Sequence, residues 1–390
     1  MACLWDRDTL AEEAARNDEG FLAITGRFPR NPPLYYQLRL ERVEKEIAQM
    51  PNALHLYDDA AVASDRLNRP GEGLEWLAKK KIVMDAMPKD RDLGDHPYRY
   101  YANLGTLRAH KWIAEGARAE DMKSLDSAIL AIEKALEINP KAHFGRERAQ
   151  LALLMFMKAE RIKDGVQLIA SAESMVGKMR TSRKAPEGFV GLITLGNAWN
   201  SPDVMAILGS GKLSSLGNYR FFARYREAEL LKEGKNLLFP NIIRNEYEKE
   251  PLLSDMHSES EMFSAYQALR KNADKYHAHR TDFMLERLNA GYHPDTNSDF
   301  WNGYQETPKV DLDQFYTFSI ARWITKNPTT GLLIVAGVAL AGAVGLGIGT
   351  AYIVRRRRSR KAISPKESLP ANPEAQSRET AASPESDPPR

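Results

Sequence analysis

The sequence predicts an all-α protein made of stacked helix pairs and followed by one membrane-spanning helix. Three observations lead to this prediction. Apolar residues recur with helical spacing before residue 300, and no alternating strand pattern or Asn-Gly hairpin interrupts them. Similar pairs of helices recur along the chain. Residues 331–354 contain no charged side chain and are long enough to cross a lipid bilayer.

The clearest helix pair lies in residues 101–140. Small side chains at fixed spacing on both helices allow a close approach, and one isoleucine fills the space between them. A proline ends the second helix. The residues that carry this signature are Tyr101, Leu104, Gly105, Ala128, Ile132, Ala135 and Pro140.

This arrangement resembles the tetratricopeptide repeat, whose two-helix units stack into an α-α superhelix. Weaker copies of the pattern occur around Ala60 with Gly73, at Gly165 and at Phe221. Their spacing is uneven, so we expect a degenerate array over residues 52–232. A generic helical bundle is the alternative interpretation.

The N-terminal sequence adds to this resemblance. Residues 3–10 read CLWDRDTL, which is similar to the start of a group of uncharacterised bacterial tetratricopeptide-repeat proteins. The resemblance implies an exported protein and brings no activity with it. We expect Trp5 to dock the N-terminus by burying its indole, beside an Asp–Arg pair.

The chain is predicted to contain six segments. Residues 362–390 are rich in Pro, Ser, Glu and Ala and are expected to be disordered, because they offer few large apolar side chains. The segments are an N-terminal helical part (1–51), the repeats (52–232), a helical cap (233–300), a juxtamembrane linker and helix (301–330), the transmembrane helix (331–354), and a basic run with the disordered tail (355–390).

Basic residues flank the predicted span unequally. Six Lys or Arg residues lie in 355–361, directly after it, so the positive-inside rule places the tail in the cytoplasm and the N-terminal domain outside. The N-terminal residues are too polar to form a signal peptide. Export of the domain would therefore require a signal peptide upstream of residue 1. The alternative is a cytoplasmic N-terminal domain with a tail anchor.

Small residues also recur every four positions within the predicted span. Such a face lets two helices approach closely and is typical of membrane-helix dimers. The alternative is that Gly and Ala are simply common in membrane spans. The predicted helix–helix contact residues are Gly337, Ala341, Gly345 and Gly349.

Composition and motifs give little support to catalysis. Residues 1–354 are close to electrically neutral, so we expect no nucleic-acid partner. A single cysteine excludes a thiolate zinc cage. The acidic turn at Asp295 has Phe300 where a calcium loop needs glycine, which favours a polar turn. His277 and His279 are expected to be surface residues. We predict no cofactor, no metal and no enzymatic activity.

The leading functional prediction is a membrane-anchored scaffold that binds a protein or peptide partner in the concave face of the array. An enzyme with an unrecognised site and a purely structural envelope protein are the alternatives. Chaperone-binding repeats use Lys and Asn in this groove, and their absence here disfavours that ligand class. The predicted groove positions are Asp58, Val62, Asp65, Ala102, Thr106 and Ala109.

Overall fold

The computed structural model describes residues 4–8, 20–140, 145–181, 185–196, 198–210, 219–247 and 259–310. The chain divides into two compact units, Met1–Ser319 and Ile320–Arg390. All the described residues belong to the first unit. The predicted transmembrane helix at 331–354 and the predicted disordered tail lie outside the described residues.

Helices dominate the first unit, and its described residues contain no β-strand. The all-α prediction is therefore confirmed for this part of the chain. The helices are α1 (Gly20–Thr25), α2 (Pro33–Gln49), α3 (Leu54–Arg66), α4 (Pro70–Ala86), α5 (His96–Ala114), α6 (Met122–Ile138), α7 (Arg146–Ala159), α8 (Val166–Thr181), α9 (Ala185–Thr194), α10 (Pro202–Gly209), α11 (Tyr219–Lys232) and α12 (Glu259–Asn289). Shorter helical turns cover Ala119–Asp121, Ala198–Asn200, Pro240–Ile242 and Ile243–Tyr247.

Neighbouring helices pack in pairs, as the sequence predicts. Helix α3 packs on α4, α5 on α6, α7 on α8 and α10 on α11. The first three pairs also touch one another, because α4 packs on α5 and α6 packs on α7. Several of these helices begin with a proline in the first turn, where the missing N–H costs nothing. The described helices are thus compatible with a helical-repeat solenoid.

The pair α5–α6 shows why small residues recur at the helix contacts. A Cβ placed on Gly105 would lie 2.7 Å from the Ile132 side chain and 2.9 Å from the backbone oxygen of Ala128. Gly73 on α4 is equally constrained, because a Cβ there would lie 2.8 Å from the backbone oxygen of Ala61 on α3. The predicted close contact of Gly105, Ala128 and Ile132 is therefore confirmed.

The long helix α12 returns the chain to its beginning. It packs against α1, α2 and α11. Residues 293–301 then fold over α2, where Phe300 is fully buried beside Tyr35 and Met284. Helix α12 and the residues after it therefore pack against the first helices of the described unit.

No helix among the described residues is both long enough and apolar enough to cross a membrane.

Substituting Gly105 by alanine should destabilise the folded unit. The added Cβ would overlap Ile132 and the α6 backbone, and overpacking of this kind costs about 1–3 kcal/mol. Gly177→Ala is the matched control, because a Cβ on that exposed glycine of α8 meets nothing within 4 Å. The free energy of unfolding of the control variant should rise by up to about 1 kcal/mol, because alanine has a higher helix propensity than glycine. Denaturant unfolding measures both, and equal effects of the two substitutions would contradict the close contact.

Candidate functional site

Residues 4–8 lie as a segment across α3 and α5, the first helices of two pairs. The backbone N–H of Trp5 donates to Oδ1 of Asn103 at 2.6 Å. Nδ2 of Asn103 donates back to the Trp5 carbonyl oxygen at 3.1 Å. One buried asparagine on α5 therefore holds both polar groups of one residue in the N-terminal segment, as a neighbouring strand would.

The indole of Trp5 anchors this N-terminal segment. It is 1% exposed and packs edge-to-face on Tyr98, with ring centroids 5.7 Å apart. The Arg146 guanidinium lies over the indole at 5.0 Å from the centroid. The prediction that Trp5 docks the N-terminus by burial is confirmed.

Ion pairs on α3 hold the rest of the N-terminal segment. The backbone N–H and Nε of Arg7 donate to the two carboxylate oxygens of Asp59 at 3.0 and 2.7 Å. Its neighbour Asp58 accepts from Nζ of Lys80 and from Nδ2 of Asn103. Burial alone would raise the pKa of Asp58, but the Lys80 charge holds that pKa below its ordinary value.

A second ionic cluster surrounds Arg39 on α2, which is fully buried. Its guanidinium donates to Asp6 at 3.1 Å, to Asp8 at 2.8 Å and to Asp295 at 2.6 Å. Arg42 also donates to Asp295. We call these five residues the Arg39 cluster. It joins the N-terminal segment, α2 and the loop after α12.

Asp295 serves this cluster and does not face solvent as a calcium turn would. Burial would raise the pKa of its carboxyl, but hydrogen bonds and the charge of Arg39 lower that pKa below the usual range. His293 supports the same loop by stacking on Tyr35, with centroids 4.6 Å apart. No group of three or more His, Cys, Asp or Glu side chains in the described chain is placed to hold a metal ion.

A polar cavity of about 430 Å³ opens beside the N-terminal segment. It lies where α3, α5 and α9 end, and the loop between α1 and α2 completes its wall. Both signs of charge and several amide or hydroxyl groups face it. Its polar and charged lining residues are Asp6, Asp8, Arg30, Asn31, Asp65, Arg66, Asn68, His110 and Thr194.

Two contacts order the side of the cavity formed by α3 and α5. Nδ1 of His110 lies 2.7 Å from Oδ1 of Asp65. Burial would raise the pKa of Asp65, but the His110 imidazole lowers it below its ordinary value. Arg66 donates to the carbonyl oxygen of Leu195 at the end of α9. This side of the cavity is therefore fixed by polar contacts between helix ends.

Arg30 forms the opposite side of the cavity and stacks over Trp199 at 4.6 Å from the ring centroid. Its Nε lies 3.0 Å from Nε2 of His277, and the same Nε2 lies 2.7 Å from the Gly26 carbonyl oxygen. The two contacts exclude each other, because Nε2 carries either a proton or a free lone pair. Nε2 of His277 therefore either accepts from Nε of Arg30 or donates to the Gly26 carbonyl oxygen, and the neutral imidazole supplies no negative charge to Arg30 in either case.

His277 is half-buried in this cationic environment, although the sequence predicts a surface residue. Burial first, and then repulsion by Arg30, lower the pKa of His277 to about 4. His279 does lie on the exposed side of α12, where its Nε2 contacts the Gln305 carbonyl oxygen. Helical geometry separates the two residues, because positions i and i+2 do not share a face.

Five of the six predicted groove residues are buried side chains. The N-terminal segment covers part of the inner face of α3 and α5, and Thr106 instead bonds to Gln150 on α7. Asp65 alone of the six borders the cavity. The buried five are Asp58, Val62, Ala102, Thr106 and Ala109. Their role in binding a peptide stays a prediction.

The predicted membrane contact residues Gly337, Ala341, Gly345 and Gly349 lie outside the described residues.

Comparison with protein-family models, curated proteins and solved structures finds no significant match to this chain. The resemblance to tetratricopeptide repeats therefore rests on the sequence motifs and on the paired packing of the helices.

Sequence reasoning missed Arg30, Arg39 and His110. Arg30 lies in the Pro-rich loop FPRNPP, where no periodic pattern indicates burial. Arg39 lies on a helix with many charged residues, and its partners are up to 256 positions away. The only feature of the sequence that pointed to Arg39 was the pair of aspartates near the N-terminus, because buried carboxylates require a positively charged partner.

The pH dependence of stability should reveal His277. The imidazole pKa of His277 is lower in the folded state than in the unfolded state. Its contribution to the free energy of unfolding is therefore fully present above pH 6.5 and is lost as the pH falls toward 4. His277→Gln should remove this component of the acid destabilisation. His279→Gln changes an exposed imidazole two residues away, and its pH profile should match that of the wild type. Unfolding measured between pH 4 and 7 gives the comparison, and identical profiles for both variants would contradict the buried state of His277.

The N-terminal segment should act as a separable ligand of α3 and α5. Removing residues 1–8 should lower the melting temperature, because Trp5 burial and four ion pairs are lost. A capped synthetic peptide of residues 4–8 should raise it again by binding the folded state. A peptide with alanine in place of Trp5 is the control. An unchanged melting temperature after truncation would refute this role.

Proposed function

We propose that this chain is a membrane-anchored module that binds a segment of a partner protein at the polar cavity. The helical array forms the binding unit, and residues 331–354 form the anchor. The basic run after the anchor favours an extracytoplasmic binding unit. The partner segment reaches the cavity where α3, α5 and α9 end.

The observation that carries this proposal is the binding of the N-terminal segment itself. The inner face of α3 and α5 holds the N-terminal segment through hydrogen bonds between the Trp5 backbone and Asn103, and it contains a pocket for the Trp5 indole. These are the elements that peptide-binding grooves use for affinity and specificity. The same chemistry supports recognition of a second segment beside the first.

The cavity is the part of this face that remains open. Asp6 and Asp8 of the N-terminal segment form one of its walls, so a ligand there would lie against the bound segment. Its volume of about 430 Å³ suits a few side chains of a peptide rather than a folded domain. We therefore place partner recognition at the cavity and not along the buried groove positions.

An enzyme is the second candidate function, favoured by the Asp65–His110 contact. A carboxylate at Nδ1 fixes the orientation and the tautomer of an imidazole, which is how histidines that transfer protons are held. The same pair is equally suited to a binding site, because it places two polar side chains in fixed positions on the cavity wall. An enzyme acting on a small molecule would not hold a protein partner at this opening.

Site-specific crosslinking tests the proposal in the full chain. We expect p-benzoylphenylalanine at Ala114, an exposed residue on the cavity rim, to give one defined protein adduct on irradiation of cells. Ile82, which is 70% exposed on α4, is the matched control position and should not give it. Adding Ile113→Trp to fill the cavity should remove the adduct.

Three results would count against partner binding at the cavity. They are the absence of an adduct at Ala114, the same adduct at both positions, and an adduct that persists when Ile113 is replaced. Circular dichroism of each variant verifies that the helical fold is kept.

A further inference from the structure

We propose that the cavity binds a carboxylate of the partner segment through the guanidinium of Arg30. This inference rests on the proposed function and specifies the chemistry of the ligand. The partner segment is therefore acidic, with an Asp or Glu side chain or a free C-terminus that enters the cavity. The site differs from the predicted groove positions, none of which contributes a cation.

Arg30 is a cation with no carboxylate partner in the part of the chain that the structure describes. No described carboxylate lies within ion-pair distance of its guanidinium. Two neighbouring arginines on the same indole are paired: Arg226 reaches Glu229 and Glu233, and Arg270 reaches Asp274. Arg30, Arg226 and Arg270 lie 4.6, 3.8 and 5.0 Å from the Trp199 ring centroid. Of these three arginines, Arg30 alone lacks a carboxylate within ion-pair distance among the described residues.

The surroundings of Arg30 make that charge costly without an anion. Burial, and then repulsion by Arg270, lower the pKa of Arg30 to about 10. The lowered pKa of His277 keeps its imidazole neutral near pH 7, so its contact with Nε of Arg30 at 3.0 Å supplies no negative charge. Nη2 of Arg30 makes a long hydrogen bond to the Gly26 carbonyl oxygen at 3.4 Å. A ligand carboxylate would supply both charge and acceptors.

The carboxylates on the cavity wall do not occupy this role. Asp6 and Asp8 both bond to Arg39, and Asp65 contacts His110. Asn31 donates to Asp8 from the position next to Arg30, which separates the two charges by an amide. The acidic residues are thus held by other donors, while Arg30 lines the cavity and has no carboxylate partner among the described residues.

Guanidinium recognition of carboxylate requires a planar anion that can accept two parallel hydrogen bonds. Stacking on Trp199 fixes the plane of Arg30 and so prepares it for this geometry. Partial burial reduces the screening of the interaction by salt. An acidic segment would therefore bind more tightly than its uncharged counterpart.

Peptide binding to the full chain in detergent micelles tests this inference. The probes are three pools of random hexapeptides labelled with an uncharged BODIPY dye: acidic with an amidated C-terminus, uncharged with a free C-terminus, and uncharged with an amidated C-terminus. Fluorescence anisotropy should show about tenfold tighter binding of at least one carboxylate-bearing pool than of the fully uncharged pool. The first two pools distinguish a side-chain carboxylate from a terminal one.

Arg30→Gln should abolish this preference, and Arg30→Lys should retain part of it. Arg69→Gln is the matched control, because Arg69 is a more exposed arginine after α3 that pairs with Glu72. Equal binding of all three pools, or a preference that survives Arg30→Gln, would overturn the inference. If no pool binds while the Ala114 adduct still forms, the carboxylate is wrong and partner binding stands. If both are absent, both proposals fail.

Discussion

The buried guanidinium of Arg39 is the interaction on which the folded unit depends most. Withdrawing such a charge from water costs several kcal/mol, and only well-placed counter-charges offset it. Asp6 and Asp8 come from the start of the described chain and Asp295 comes from near its end. The contact that satisfies one charge therefore fixes the N-terminal segment, α2 and the loop after α12 relative to one another.

That constraint also determines where the molecule is open. With the N-terminal segment fixed by Arg39, Asp59 and Asn103, the inner face of α3 and α5 is already occupied. The remaining opening lies at the ends of three helices, and its walls are provided by residues far apart in sequence. An array of paired helices thus offers a compact recessed site here, whereas an open solenoid would offer a long groove.

The sequence predicts the local features of this fold well and the distant ones poorly. Gly105 and Ile132 were recognisable because the repeat spacing brings them together within one helix pair. The closure by α12 and the pairing of Arg39 with Asp295 had no such pattern, since they join positions 256 residues apart. Repeat numbering assigned the groove to α3 and α5, but it could not show that the N-terminal segment covers part of that face. For the same reason Arg30 was not recognised as a site residue.

The Arg39 cluster has a consequence for the order in which the chain folds during synthesis. Helix pairs such as α5–α6 involve neighbouring segments and can assemble as soon as both helices have left the ribosome. The cluster cannot be completed until Asp295 emerges, long after Asp6, Asp8 and Arg39. For most of translation the nascent chain therefore holds an Arg39 cluster that lacks one of its three carboxylates, and the loop after α12 supplies it.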